Sequence, residues 1–112
     1  MKRGDIWRIN LDPSIGAEIR KTRPALILSV DAIGALPLRV VVPITEWKDK
    51  FAHATWLVRL EPDITNNLDK PSAADTFQVR SVSENRFVEL LGTASSADMG
   101  RVEDALRIVL GL

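Results

Sequence analysis

Two short apolar runs constrain this chain more than any other feature: PALILSV at residues 24–30 and LRVVVPI at residues 38–44. Neither alternates polar with apolar residues, so each reads as a strand buried on both faces. Pro24 has no amide hydrogen to give a ladder and belongs at the first position of its strand. The second strand, read as Leu38 to Thr45, is expected to halt near Pro43. The DAIGALP segment between them, residues 31–37, reads as a turn. Both runs are far too short to span a bilayer. A length of 112 residues fits one domain, 1–112, able to bury a core without disulfides.

The remaining segments supply more strands and one helix. DIWRINL, residues 5–11, alternates Ile6, Arg8 and Asn10 with Trp7, Ile9 and Leu11, and Trp7 is expected in the core. TWLVRLEP, residues 55–62, reads as a strand ended by Pro62. DTFQVRSV, residues 75–82, alternates again, placing Phe77 and Val79 on one face. FVELLGTAS gives a short strand ended by Gly92. Between these, DPSIGAE is a loop, EWKDKFAHA a loop with a helical turn, and DITNNLDKPS an exposed loop. The C-terminal SSADMGRVEDALRIVLGL opens with Ser96 as N-cap, and Met99, Val102, Leu106, Val109 and Leu110 recur at helical spacing. The expected fold is mainly β (α+β): a small, strongly bent barrel or pair of sheets with a C-terminal helix over one opening.

Absence of cysteine excludes disulfides and thiolate metal sites, and a reducing cytoplasm is the expected location. MKRGDIW carries basic residues with no apolar stretch behind them, so no signal peptide is read and no membrane partner is expected. Formal net charge is zero, yet it is unevenly spread. Residues 1–23 hold Lys2, Arg3, Arg8, Arg20, Lys21 and Arg23 against Asp5, Asp12 and Glu18. A local basic patch on a neutral body suits an anionic ligand held at one place. A plain solvated loop would read the same way.

Several chemistries drop out. His53 is the only histidine and has no acids at ligand spacing, so no metal site is expected. No glycine-rich phosphate loop and no nucleophile–histidine triad is present, and no cofactor is expected. What remains is Arg, Lys, hydroxyl and carboxylate chemistry. That inventory suits RNA cleavage by the substrate's own 2′-hydroxyl, where the protein positions the reacting atoms, moves protons and stabilises charge on phosphorus. A guanidinium fits the last task, because it offers paired donors and keeps its charge. Arg23, beside Pro24 at a strand start, is better fixed than Arg20 or Lys21; it also reads as a strand cap paired with Glu18.

KRGDIWRINLDPSIGAEIRKTRPALILS followed by VVVPIT resembles the MazF/PemK family of toxin ribonucleases. KPSAADTFQVRSVSENRF and the helix DMGRVEDALRIVLGL match in order and spacing, so the resemblance covers essentially the whole chain. It implies an SH3-like barrel with a C-terminal helix, a homodimer, and a metal-independent endoribonuclease cutting single-stranded mRNA to arrest translation. It maps the family's Arg of Arg-Pro onto Arg23, to stabilise the phosphorane, and its strand-end Thr onto Thr45, to bond the scissile phosphate. Glu18 matches a loop Glu and Ser72 a loop Ser near the RNA groove. Arg20 and Lys21 would add phosphate contacts, and Asp75 and Gln78 complete the candidate substrate-binding set.

Two departures from the family are visible. Many members carry Gly in the loop before Arg-Pro, where this chain has Arg20-Lys21-Thr22. Some carry an adjacent Asp-Gln pair, whereas here Asp75 and Gln78 are separated by Thr76-Phe77 and Asp75 is expected on a continuous strand. A toxin of this family implies a cognate antitoxin whose acidic disordered segment lies over the basic loop. Two other functions compete: a CcdB-like poison that binds gyrase, disfavoured by a Val-Leu-Gly-Leu ending that lacks that family's aromatic, and a silent barrel that only binds antitoxin.

Overall fold

The structure is a computed structural model and describes residues 1–31 and 35–112; the turn expected at 31–37 lies partly outside them. Seven strands form one antiparallel sheet: β1 (Asp5–Asn10), β2 (Thr22–Ile27), β3 (Leu38–Glu46), β4 (Leu57–Leu60), β5 (Ser72–Asp75), β6 (Arg80–Ser83) and β7 (Phe87–Thr93). Helix α1 (Ser96–Leu110) follows. The strand order is β4-β5-β3-β2-β1-β7, with β6 also paired to β3.

The two apolar runs fall in β2 and β3, the middle of the sheet. Pro24, however, is the third residue of β2, paired with Arg8, not the first, and β3 continues past Pro43 to Glu46. Ala25, Leu26, Ile27 and Leu28 are buried in succession, as are Val41, Val42, Pro43 and Ile44. Burial without alternation means both faces are covered. On one face Leu26, Val42 and Ile44 pack with Ile6, Leu60 and, from α1, Val102 and Ala105. On the other, Ala25, Ile27 and Val41 pack with Ile9, Leu11 and Val82, with half-buried Trp7 and Phe87 at the margin. Trp7 meets the Phe87 ring edge-on at 5.5 Å, in keeping with its expected core position.

β3 produces the bend. One edge pairs with β2 through Val41, Val42 and Pro43. The other edge serves two partners in turn, β6 along Leu38–Val41 and β5 along Ile44–Glu46. Changing partner partway along one edge turns the outer strands away from the sheet plane, and two register shifts between β1 and β7 add to the curl. The expected bent architecture and closing helix are present. The sheet stops short of a closed ladder, with β4 and β7 at its two ends.

Three local expectations are corrected. Residues 75–82 are not one strand: a 3-10 turn over Thr76–Gln78 separates β5 from β6. The Thr76 hydroxyl and amide both donate to the Trp56 carbonyl, at 2.7 and 3.0 Å, and the Phe77 amide donates to Asp75 Oδ1 at 3.1 Å. These local bonds outcompete the ladder and swing Phe77 into solvent. The helix N-cap is Ser95, not Ser96, because Ser95 Oγ accepts from the Asp98 amide at 3.1 Å. Leu110 is exposed, and Ala105 takes a buried place beside Val102.

The loop at 61–71 is partly internal, not simply exposed. Asn66 is 1% exposed, with Oδ1 accepting from the Asp63 and Leu68 amides and Nδ2 donating to the Glu61 carbonyl. Gly92 in β7 lies directly against this loop. A Cβ there would overlap the Thr65 carbonyl oxygen and sit 2.8 Å from the Asn66 carbonyl carbon. Backbone on both sides cannot yield cheaply, so Gly92→Ala should lower stability by about 2–3 kcal/mol in a denaturant melt. A variant as stable as the parent would mean that the β7–loop contact is looser than described.

Candidate functional site

Two recesses between them collect most of the candidate residues. The first is lined by Arg8, Thr22, Arg23 and Pro24 from β1 and β2, by Ile44, Thr45 and Glu46 from β3, and by Leu68, Asp69, Lys70 and Ser72 beyond. Its position follows from register. Ala25 pairs with Pro43 and Ile27 with Val41, so continuing that register by two residues sets Arg23 opposite Thr45. The ladder ends before reaching them, because Pro24, next in line to donate to β3, has no amide hydrogen. Thr45 pairs instead with Ala73 of β5. β2 and β3 separate at that point, and the Arg23 and Thr45 side chains border the gap.

Arg23 is half-buried, and its Nε donates to the Arg20 carbonyl at 3.2 Å. That bond uses one of five guanidinium donors and steadies the group. The expected strand-cap pair with Glu18 does not form, since Glu18 Oε1 accepts from the Ile15 amide at 2.6 Å within its own turn. Among the described residues no ion pair involves Arg20, Lys21 or Arg23. Arg8 and Lys70, by contrast, are engaged: Arg8 Nε is 3.2 Å from Glu89 Oε1, without hydrogen-bond alignment, and Lys70 Nζ is 3.4 Å from Glu46 Oε2. Ser72 is buried and donates to the Lys70 carbonyl at 2.8 Å, which leaves its oxygen only as an acceptor.

The loop preceding Arg23 is held by side chains bonded to backbone. Asp12 Oδ1 accepts from the Lys21 amide at 3.0 Å, and the Leu11 amide donates to the Lys21 carbonyl at 2.9 Å. Arg86 Nη1 donates to the Asn10 and Asp12 carbonyls at 3.1 and 2.5 Å. Lys21 itself adopts φ 67°, in the left-handed region. Glycine is the residue suited to that backbone, and a side chain there costs roughly 1–2 kcal/mol.

The second recess is lined by Ala17, Glu18, Trp56, Asp75, Phe77 and Gln78. Glu18, Asp75 and Gln78 therefore lie apart from Arg23, Thr45 and Ser72. Gln78 spans the gap between loop and turn: Oε1 accepts from the Ile19 amide at 2.7 Å, and Nε2 donates to the Ala17 carbonyl and Asp75 Oδ2, both at 3.2 Å. The 3-10 turn absorbs the two intervening residues, so acid and amide meet despite their spacing. With these contacts made, Gln78 fastens the loop and has no free N–H. Burial raises the Asp75 carboxyl above its ordinary value, opposed by hydrogen bonds from Phe77 and Gln78.

Sequence reading missed several lining residues. Glu46, Asp69 and Lys70 reach the first recess only because β3 changes partner, and Arg86 steadies the loop from far along the chain. Phe77 was hidden by its place in an alternating pattern. Among the described residues no cluster of His, Asp and Glu is arranged to hold a metal, and no helix is long and apolar enough to cross a membrane.

Two tests follow from this geometry. Lys21→Gly should raise stability by about 1 kcal/mol in a denaturant melt, because the left-handed backbone is retained and the side-chain penalty removed; a loss of stability would show that the lysine stem packs. Asp75 binds its proton more tightly folded than unfolded, so its contribution to stability is greatest below the unfolded pKa and declines as pH rises through the folded one. Melting temperatures of the parent, measured relative to Asp75→Asn, should therefore fall from pH 3 towards neutrality. A flat difference would mean an unperturbed carboxyl.

Comparison with known proteins identifies the family. The family model described as "PemK-like, MazF-like toxin of type II toxin-antitoxin system" matches residues 2–110. Endoribonuclease MazF9 of Mycobacterium tuberculosis is 31% identical over 118 residues, spanning 100% of this chain and 98% of the relative. The crystal structure of MazF from Deinococcus radiodurans superposes with a TM-score of 0.83 at 26% identity, covering 100% of this chain and 97% of that one. A MazE-MazF crystal structure from the same organism gives a TM-score of 0.77 at 25% identity, with 100% and 96% covered. The chain belongs to the PemK-like, MazF-like family of type II toxin-antitoxin toxins.

Proposed function

We propose that the chain is the toxin of a type II toxin–antitoxin pair and acts as a metal-independent endoribonuclease on single-stranded mRNA, blocking translation. The observation that carries this reading is the half-buried, carboxylate-free Arg23 set opposite Thr45 across a recess. Relatives named as endoribonucleases support it. In the reaction the RNA 2′-oxygen bonds to phosphorus as the bond to the 5′-oxygen breaks. The 2′ proton leaves and the 5′-oxygen gains one, giving a 2′,3′-cyclic phosphate and a free 5′-hydroxyl. Arg23 neutralises the charge building on the phosphoryl oxygens. Thr45 donates to one of them, and Arg20 and Lys21 hold flanking phosphates. Ser72 supports the recess wall, Glu18 shapes the loop, and Asp75 and Gln78 fasten it to the 3-10 turn.

The same reading assigns a single domain, a cytoplasmic location, a homodimer, and an antitoxin whose acidic disordered segment covers the unpaired loop cations. Ile64, Val88, Leu90, Ile108, Leu110 and Leu112 are all more than half exposed; a second copy or an antitoxin would remove such surface from water.

Purified protein incubated with a long mRNA in EDTA should cut at discrete places, leaving cyclic phosphate ends. Arg23→Ala should slow single-turnover cleavage by about 100–1000-fold with an unchanged melting temperature. Arg23→Lys should recover only part of the rate, since the ammonium lacks the paired donors. Intact RNA with the parent protein would refute the nuclease reading, and a collapsed fold in Arg23→Ala would make Arg23 structural.

A further inference from the structure

The six aromatic side chains, three Trp and three Phe, form three edge-to-face pairs, and one of these serves no core. Trp7–Phe87 borders a buried cluster, and the half-buried Trp47–Phe51 pair lies beside Arg59. Trp56 and Phe77 are 41% and 68% exposed, with ring centroids 6.4 Å apart and planes at 74°. Their backbone is already secured, because the Thr76 amide and hydroxyl both bond the Trp56 carbonyl. The rings are therefore not needed to hold the turn. Two nearly perpendicular rings leave an open notch in which a flat group can stack on one and abut the other.

The floor of the notch is acidic and short of free donors. Asp75 accepts from the Phe77 amide on Oδ1 and from Gln78 Nε2 on Oδ2, with the Gln78 amide also directed at the carboxylate, and still has acceptor capacity left. Glu18 has Oε1 engaged by the Ile15 amide, which leaves Oε2. Gln78 has spent its donors on the Ala17 carbonyl and Asp75. A flat ligand here must bring hydrogen-bond donors of its own. The amino edge of adenine or cytosine does so, whereas uracil and thymine carry their single ring N–H between two carbonyls that a carboxylate repels.

We propose that Trp56, Phe77 and Asp75 form a subsite for one unpaired, amino-bearing nucleobase, which stacks on Phe77 against the Trp56 edge and gives its amino hydrogens to the Asp75 carboxylate. The subsite deepens the ribonuclease reading and rests on it for its biological meaning: it fixes one position of the cut sequence. Gln78 is its positioning residue, since it locks the turn carrying Phe77 to the loop leading to Arg23.

Binding is measured with short deoxyadenosine, deoxycytidine and deoxythymidine homopolymers, which lack the 2′-hydroxyl and cannot be cut, by quenching of tryptophan fluorescence. Cleavage is mapped in parallel on a long RNA. Wild-type protein should bind the adenine and cytosine oligomers more tightly than the thymine one. Phe77→Ala should weaken that binding by about 5–150-fold and relax the cut preference at a single position. Asp75→Asn should abolish the preference for amino bases while keeping affinity for the thymine oligomer. A Phe77→Ala protein that binds all three like wild type and cuts the same sites at the same rate overturns the subsite and leaves the nuclease standing. Binding that depends on Phe77 without any RNA cleavage by wild type keeps the subsite and removes the nuclease. Neither binding nor cleavage removes both.

Discussion

Hydrogen bonding between β2 and β3 lasts for three residue pairs and then stops, and the geometry of the candidate site depends on that stop. Had the ladder run on, Arg23 and Thr45 would have faced each other as an ordinary cross-strand pair. Pro24, at the ladder's end, lacks the amide hydrogen that would have continued it toward Ile44. β3 then turns to β5, carrying Thr45 with it. The gap is therefore a product of backbone chemistry, and core packing on both faces of β2 and β3 holds it open. A guanidinium at its rim is steadied by one carbonyl and makes no ion pair, although Glu46 and Asp69 line the same recess.

The loop before Arg23 is anchored to the core by Ile19 and is otherwise fixed by polar contacts from distant parts of the chain. Asp12, Arg86 and Gln78 each bond backbone groups and leave the cationic heads of Arg20 and Lys21 uncommitted. Elsewhere the chain spends its arginines on acids: Arg3 with Glu103, Arg59 with Glu61, Arg101 with Asp98 and Arg107 with Asp104. Exposed pairs like these contribute at most about 1 kcal/mol each to stability.

What the sequence revealed depended on range. β2, β3 and α1 were legible because uniform burial and helical periodicity are local signals. Arg23 stood out beside a strand-starting proline, and Thr45 through the family resemblance of its strand end. The segment at 75–82 misled because its alternation is real, while Asp75 and Thr76 find closer hydrogen-bond partners than any ladder offers. Asn66, Leu68 and Ser72 were masked by a polar composition that is ordinarily solvated. The division of the candidate residues into two recesses was not readable at all, for it follows from the exchange of partners along β3. The missing loop glycine was visible as an absence, and the left-handed Lys21 gives it a conformational meaning.

Gln78 fastens residues 17 and 19 on one side and Asp75 on the other. Through that clamp the wall of the aromatic notch and the loop feeding Arg23 become one piece. A polynucleotide laid across both would be gauged against a fixed ruler: the number of nucleotides between a base seated on Phe77 and a phosphate held at Arg23 becomes a constant of the fold, not of the RNA. Strands too short to span the interval would lose the gain in effective concentration that comes from engaging both ends at once.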